Sequence, residues 1–262
     1  MAFAVIMGCA SSARQSKPAA VPEIYPGILA GYLQSEMLPD SLAFIPPPPV
    51  EGSAALALDK EVSLKSLALQ GTPRWDLAVK DAELKFPEAA ETFSCALNGQ
   101  ITEQDTPHLY ILLRRTVTDA GLSTYSAKNK YKRPRPFMVN GEPICTPDKI
   151  EHLKRSGSYP SGHTAIGWAW ALILTEIAPE RVDAILARGR AFGESRNICN
   201  VHWHSDVVEG RLVGAASVAR LHADPAFRAE LEAAKAEFAS VRAKGLKPTR
   251  DCQKEADALA HN

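Results

Sequence analysis

Residues 164–175 read TAIGWAWALILT, the longest strongly apolar internal stretch of the chain, and no run of strict apolar–polar alternation marks a strand anywhere in it. Around that stretch, apolar positions recur at helical spacing and each segment opens on a start signal. Pro73, Pro87 and Pro107 each stand at a predicted first turn, the last leading an apolar and basic helix to about residue 120. Ser161-Gly-His-Thr opens the apolar helix, which runs to about 177. Pro179-Glu180 opens the next to about 196, Ser205 or a neighbour one to 221, and Asp224-Pro225 a charged amphipathic one to about 244. A short polar helix is expected before Ser156, and a loop rich in Lys, Arg and Pro over 128–147.

The pattern predicts an all-α protein, a compact helical bundle. Before about residue 56 it fails: Pro is abundant, with a run at 46–49, and no apolar period is sustained. This part reads as an extended, polyproline-like arm lying over the body. The expected organisation is a leader at 1–20, the arm at 21–60, one helical domain at 61–250 and a tail at 251–262.

Composition narrows this reading. With 262 residues and 45% hydrophobic side chains, the chain can bury one large core. Thirty Lys and Arg balance thirty Asp and Glu, so no global field exists to gather nucleic acid, and the cations that matter are local. The apolar run at 164–175 is twelve residues long, against about twenty for a membrane-spanning helix, and belongs in a core. Residues 1–13 carry no charge, and Gly8-Cys9-Ala10-Ser11 follows a short apolar stretch. They resemble a lipoprotein signal in which Cys9 is lipidated, implying export to the periplasm and a lipid anchor.

Three pieces carry the chemistry. Lys128 to Arg135-Pro136 is a basic loop with two Arg-Pro pairs, Arg133 and Arg135, and the loop alone does not say which faces a ligand. Ser161, Gly162 and His163 lie where an apolar helix begins, so backbone N–H groups and the positive end of its dipole suit an anion. In the segment 195–206, His202 and Asp206 are four apart and share a helical face. The carboxylate can hold one ring nitrogen and leave the other free to attack. His204 is two positions from His202 and is assigned to structure or a rim. Lys128, Arg135 and Arg196 supply cations, Ser161 and Gly162 donors, and the two imidazoles acid and nucleophile: a site for a small dianion such as phosphate.

Beyond Cys9, the four cysteines allow three pairings. A shared phosphate site draws the segments of Cys145 and Cys199 together, leaving Cys95 with Cys252 to tie down the C-terminal end. Buried free thiols in a reducing compartment are the alternative.

Lys-x6-Arg-Pro, Pro-Ser-Gly-His and Ser-Arg-x5-His-x3-Asp, in that order, resemble the type 2 phosphatidic acid phosphatase (PAP2) superfamily. The fuller 157–164 run, GSYPSGHT, is similar to its bacterial class A non-specific acid phosphatases. The spacing selects Arg135, seven after Lys128, over Arg133. The resemblance implies the helical bundle of that family and a broad-range hydrolase of small phosphomonoesters. In it, His202 is the nucleophile that forms a phosphohistidine, His163 the general acid and base, and Asp206 the residue orienting His202. Lys128, Arg135, Ser161, Gly162 and Arg196 bind the phosphate. It further implies no cofactor or metal, phosphate as product, vanadate as inhibitor and a homodimer. An acidic optimum follows from histidine's ordinary pKa near 6.5. Rival readings are a vanadium-dependent haloperoxidase, a metallohydrolase using His202, His204 and Asp206, and a non-catalytic phosphate-binding protein.

Overall fold

The computed structural model describes residues 17–260, so residues 1–16 of the expected leader, Cys9 among them, lie outside the described residues. The helices are α1 (Ala54–Leu67), α2 (Pro73–Lys80), α3 (Ser94–Leu97), α4 (Pro107–Leu122), α5 (Tyr125–Tyr131) and α6 (Pro136–Asn140). They continue with α7 (Ile150–Lys154), α8 (Gly162–Ile177), α9 (Val182–Ile198), α10 (His204–Leu221), α11 (Pro225–Ala243) and α12 (Cys252–Ala260). The all-α expectation holds, with one small departure. Glu23–Tyr25 (β1) pairs antiparallel with Ile28–Leu29 (β2) across a turn where Gly27 takes φ +84°, too short a hairpin to register as alternation.

The apolar helix α8 is the central element, packed against α4, α9, α10 and α11. Trp170 is buried among Phe93, Phe192 and Phe86, and its indole N–H donates to Leu113 O at 2.9 Å. Glycines let α10 approach closely: a Cβ on Gly214 would stand 2.4 Å from Ala165 O, and one on Gly210 2.6 Å from Ser161 O. That contact seats α10 directly behind the turn that opens α8.

Regular structure extends beyond the expected bounds. Helix starts at Ala54 because Ser53 caps it, accepting from Leu56 N at 3.2 Å. The basic loop contains α5 and α6, and the tail forms α12, held by Cys95–Cys252. The segment expected to form a helix from Pro87 is mainly a 3₁₀ turn (Glu88–Phe93) followed by the single turn of α3. Cys145–Cys199 is the second disulfide, so both expected pairings are formed.

The Pro-rich arm is fastened to the body by polar contacts that carry no apolar pattern. Asp119 on α4 accepts from Tyr32 N and Leu33 N, each at 3.0 Å, and Arg115 lies over the Tyr32 ring while donating to Ala30 O and Gly31 O. Ser41 Oγ pairs with Ser126 Oγ, and Tyr159 Oη donates to Pro46 O at 2.6 Å.

Candidate active site

The turn 157–161 and the starts of α8 and α10 are locked into one unit. Ser158 N donates to Arg133 O and Ser161 N to Asp206 O, each at 2.9 Å. Ser161 caps α8, its Oγ accepting from Thr164 N at 3.3 Å. The α8 N-terminus thereby opens onto a cavity of about 520 Å³ whose lining includes Lys128, Arg135, Gly162, His163, Arg196 and His202. Ser161 is fully buried behind Gly162 and does not line this cavity.

Each cation arrives by a different route. Lys128, on the inner face of α5, donates to Gly157 O at 2.9 Å and Ser158 O at 3.3 Å. Arg135, just ahead of α6, donates through Nε to Leu153 O and through Nη1 to Val201 O and His202 Nε2, the last at 3.0 Å. Arg196 ends α9 with Nε and Nη1 buried and without a hydrogen-bond partner among the described residues. Two unsatisfied guanidinium donors at a cavity wall are costly unless an anion meets them. Burial pulls Arg196 down to about 9 and Arg135 to about 10, and burial together with Arg135 lowers Lys128.

His202 is 3% exposed, and its ring is held on both sides. Nδ1 lies 3.2 Å from Asp206 Oδ2, while Nε2 faces the Arg135 guanidinium. Arginine only donates, so Nε2 carries the lone pair and Nδ1 the proton that Asp206 accepts. Asp206 is completely buried; Oδ2 also accepts from Trp203 N at 2.8 Å, and Oδ1 from Arg133 Nη1 at 2.7 Å. Burial pushes its carboxyl up, and Arg133 is the largest influence pulling it back. Arg133 in turn donates to Asp59 Oδ2 at 2.6 Å, and Asp59 accepts from Ser205 N and Ser205 Oγ at 2.7 Å each. Arg133-Pro134 therefore has a different place from Arg135-Pro136: its guanidinium braces the carboxylate that accepts from His202 Nδ1.

His163, half-buried at the start of α8, faces the same cavity, with Nε2 3.2 Å from Ala82 O. Both imidazoles are held well below 6.5, chiefly by burial; Arg196 adds to this at His163, and Arg135, Lys128 and Arg196 at His202. A dianion between these cations would offset the repulsion and raise both rings.

The structure brings together every expected site residue except that Ser161 stands one layer back. His204 opens α10 and does not line the cavity. Sequence reasoning missed Asp59, one of two acids in α1 with no motif around it, and Ile28 and Ala82, which add an apolar contact and a carbonyl from distant segments. Ser195, beside Arg196, belongs to a separate buried cluster: its Oγ donates to Asp81 Oδ2 at 2.7 Å and accepts from Arg74 Nη1 at 3.0 Å.

A helical bundle carrying two imidazoles and three buried cations around the N-terminus of its central helix defines the PAP2 class. Residues 108–229 match the family model described as the PAP2 superfamily, and the chain belongs to that family. It is 46% identical over 222 residues to a non-specific acid phosphatase of Providencia stuartii, covering 84% of this chain and 87% of the relative. It is 42% identical to a non-specific acid phosphatase of Salmonella typhimurium (73% of this chain, 77% of the relative). An acid phosphatase of Zymomonas mobilis is 39% identical (80% and 79%).

Proposed function

We propose that the protein is an acid phosphatase that hydrolyses a broad range of phosphate monoesters through a phosphohistidine on His202, without a metal. The observation that carries this reading is the juxtaposition of the His202 Nε2 lone pair with Arg135 at 3.0 Å, in a cavity that also holds His163 and the unpaired Arg196 donors. The similarity to acid phosphatases adds to it.

In this reading the substrate dianion meets Lys128, Arg135, Arg196 and the Gly162 N–H, and His202 Nε2 attacks phosphorus in line. The P–O bond to the alcohol breaks as His163 delivers a proton to the departing oxygen. Asp206 keeps the proton of Nδ1 in place as the ring gains charge. Water, deprotonated by His163, then attacks the phosphohistidine, releasing phosphate and restoring Nε2. The cations act where charge gathers on the equatorial oxygens. Asp206 is fully engaged by His202, Trp203 and Arg133, which favours an orienting role over a metal ligand.

The test is turnover of p-nitrophenyl phosphate at acid pH with EDTA present, inhibition by vanadate, and an acid-quenched search for phosphohistidine. Absence of the phosphoenzyme in wild type with an intact rate would overturn the covalent route. Halide oxidation by vanadate-loaded protein without phosphatase activity would replace this reading with the haloperoxidase one. The exported location, Cys9 anchor and homodimer belong to the same reading, and are checked by fractionation, intact mass and sedimentation.

A further inference from the structure

A second cavity, of about 350 Å³, lies beside the catalytic one and shares Tyr125, Lys128 and Ser156 with it. Its charge is one-sided: Lys128, Lys132, Arg133, Lys154 and Arg155 line it, and no carboxylate does. One wall is a face of α5 with Tyr125, Lys128 and Asn129 at i, i+3 and i+4, extended by Lys132, which follows the last residue of the helix in a left-handed conformation. The other is the C-terminal end of α7 with Lys154 and Arg155. The walls are fixed to each other, since Gly157 passes so close that a Cβ on it would stand 2.7 Å from Lys128 O. Lys132, Lys154 and Arg155 are exposed, whereas Arg133 is engaged by Asp59 and Asp206. Lys154 reaches Glu151 at 2.8 Å, a contact between exposed side chains that a multivalent anion can outcompete.

Resting on the phosphatase reading of the neighbouring cavity, we propose that this groove binds the distal phosphates of a condensed phosphate chain, inorganic or esterified, whose terminal phosphate occupies the catalytic cavity. A monoester fills only the first cavity; a chain of phosphates carries further anionic groups over the shared rim at Tyr125 and Ser156. Cleavage then follows the same course. His202 Nε2 takes the terminal phosphoryl group, the bond from that phosphorus to the bridging oxygen breaks, and the electron pair leaves on that oxygen. The departing chain is an anion held by Lys132, Lys154 and Arg155.

The experiment compares KM and kcat for p-nitrophenyl phosphate, inorganic tripolyphosphate and a nucleoside triphosphate in wild type, Arg155→Gln, and the triple variant Lys132→Ala/Lys154→Ala/Arg155→Ala, with melting temperatures recorded. The expected result is a rise of about tenfold in KM for both condensed phosphates in the triple variant, with p-nitrophenyl phosphate unchanged and a smaller rise in Arg155→Gln. In wild type, added salt should raise KM for tripolyphosphate far more steeply than for the aryl ester. A rise for the nucleotide alone, an equal change for all substrates, or a lower melting temperature with KM values intact would overturn the proposal. The last result would leave the cations as complements to the C-terminal ends of α5 and α7. Wild type inactive on p-nitrophenyl phosphate would remove the catalytic reading and the groove with it; activity with unchanged KM ratios would remove the groove alone.

Discussion

At the scale of single residues, the two Arg-Pro pairs show how neighbouring identical side chains divide labour. Arg135 and Arg133 are two apart, yet one faces the cavity and the other the back of Asp206. Because burial raises Asp206 and Arg133 opposes it, Arg133→Met should raise Asp206 further and leave it protonated at acid pH, where it no longer accepts from His202 Nδ1. The acid limb of the kcat profile should therefore move to higher pH, and Arg133→Lys, which keeps the charge, should restore most of it. Breaking a buried pair also costs about 3–5 kcal/mol, readable by denaturant titration. Replacing His202 with Ala should abolish the phosphoenzyme and lower kcat by at least about 10²-fold. His163→Ala should hurt alkyl phosphates more than activated aryl phosphates, since the latter leave without a proton; equal losses on both would argue against its acid role.

At the scale of elements, the site depends on how closely α10 approaches α8. Ala in place of Gly inside a helix ordinarily gains about 0.5–1 kcal/mol. Gly210→Ala should instead lose about 1–3 kcal/mol, because its Cβ meets Ser161 O at 2.6 Å and forces the turn ahead of His163 to shift. A fall in kcat along with the melting temperature is expected; a stabilised, fully active variant would refute it. The tail behaves as an element too. Cys95–Cys252 closes a sequence separation of 157 residues and fastens α12 against α2, so Cys252→Ser should cost about 2–5 kcal/mol in non-reducing denaturation, with KM for aryl phosphates retained.

At the scale of the whole molecule, the field of the cavity sets the pH behaviour. His163 and His202 are depressed in the ligand-free protein, so the unfolded chain takes up protons near pH 6.5 that the folded one refuses. The stability due to these two rings is complete above about 6.5 and declines as pH falls toward their folded values. A bound dianion opposes this by raising both rings. Binding near pH 6 of a dianion that carries no titrating proton of its own there, such as sulfate, should therefore consume protons, measurable by titration calorimetry in buffers of different ionisation heat, and His163→Gln should reduce the uptake. Identical uptake in the variant would sink this account.

What the amino-acid sequence determined by itself was local in origin. Helix starts follow from Pro, Ser and Asp at first turns and the core helix from an uncharged apolar run. The expected pairing of His202 with Asp206 forms, but not across a helical face: His202 stands in the bend ahead of α10, and Asp206 reaches back to it from the first turn of that helix. The family motifs pointed to Lys128, Arg135, Gly162, His163, Arg196 and His202, which line one cavity. Tertiary structure decided the rest. Asp59 reaches Arg133 across 74 positions, Ala82 O meets His163 across 81, and Ile28 of the arm lines the cavity, contacts that have no periodicity to announce them. Ser161 moved one layer back because its oxygen caps α8. Both imidazoles fell below their ordinary range because burial acts together with nearby cations, Arg196 at His163 and Arg135, Lys128 and Arg196 at His202, and that sum exists only after α5, α8, α9 and the loop before α10 have met.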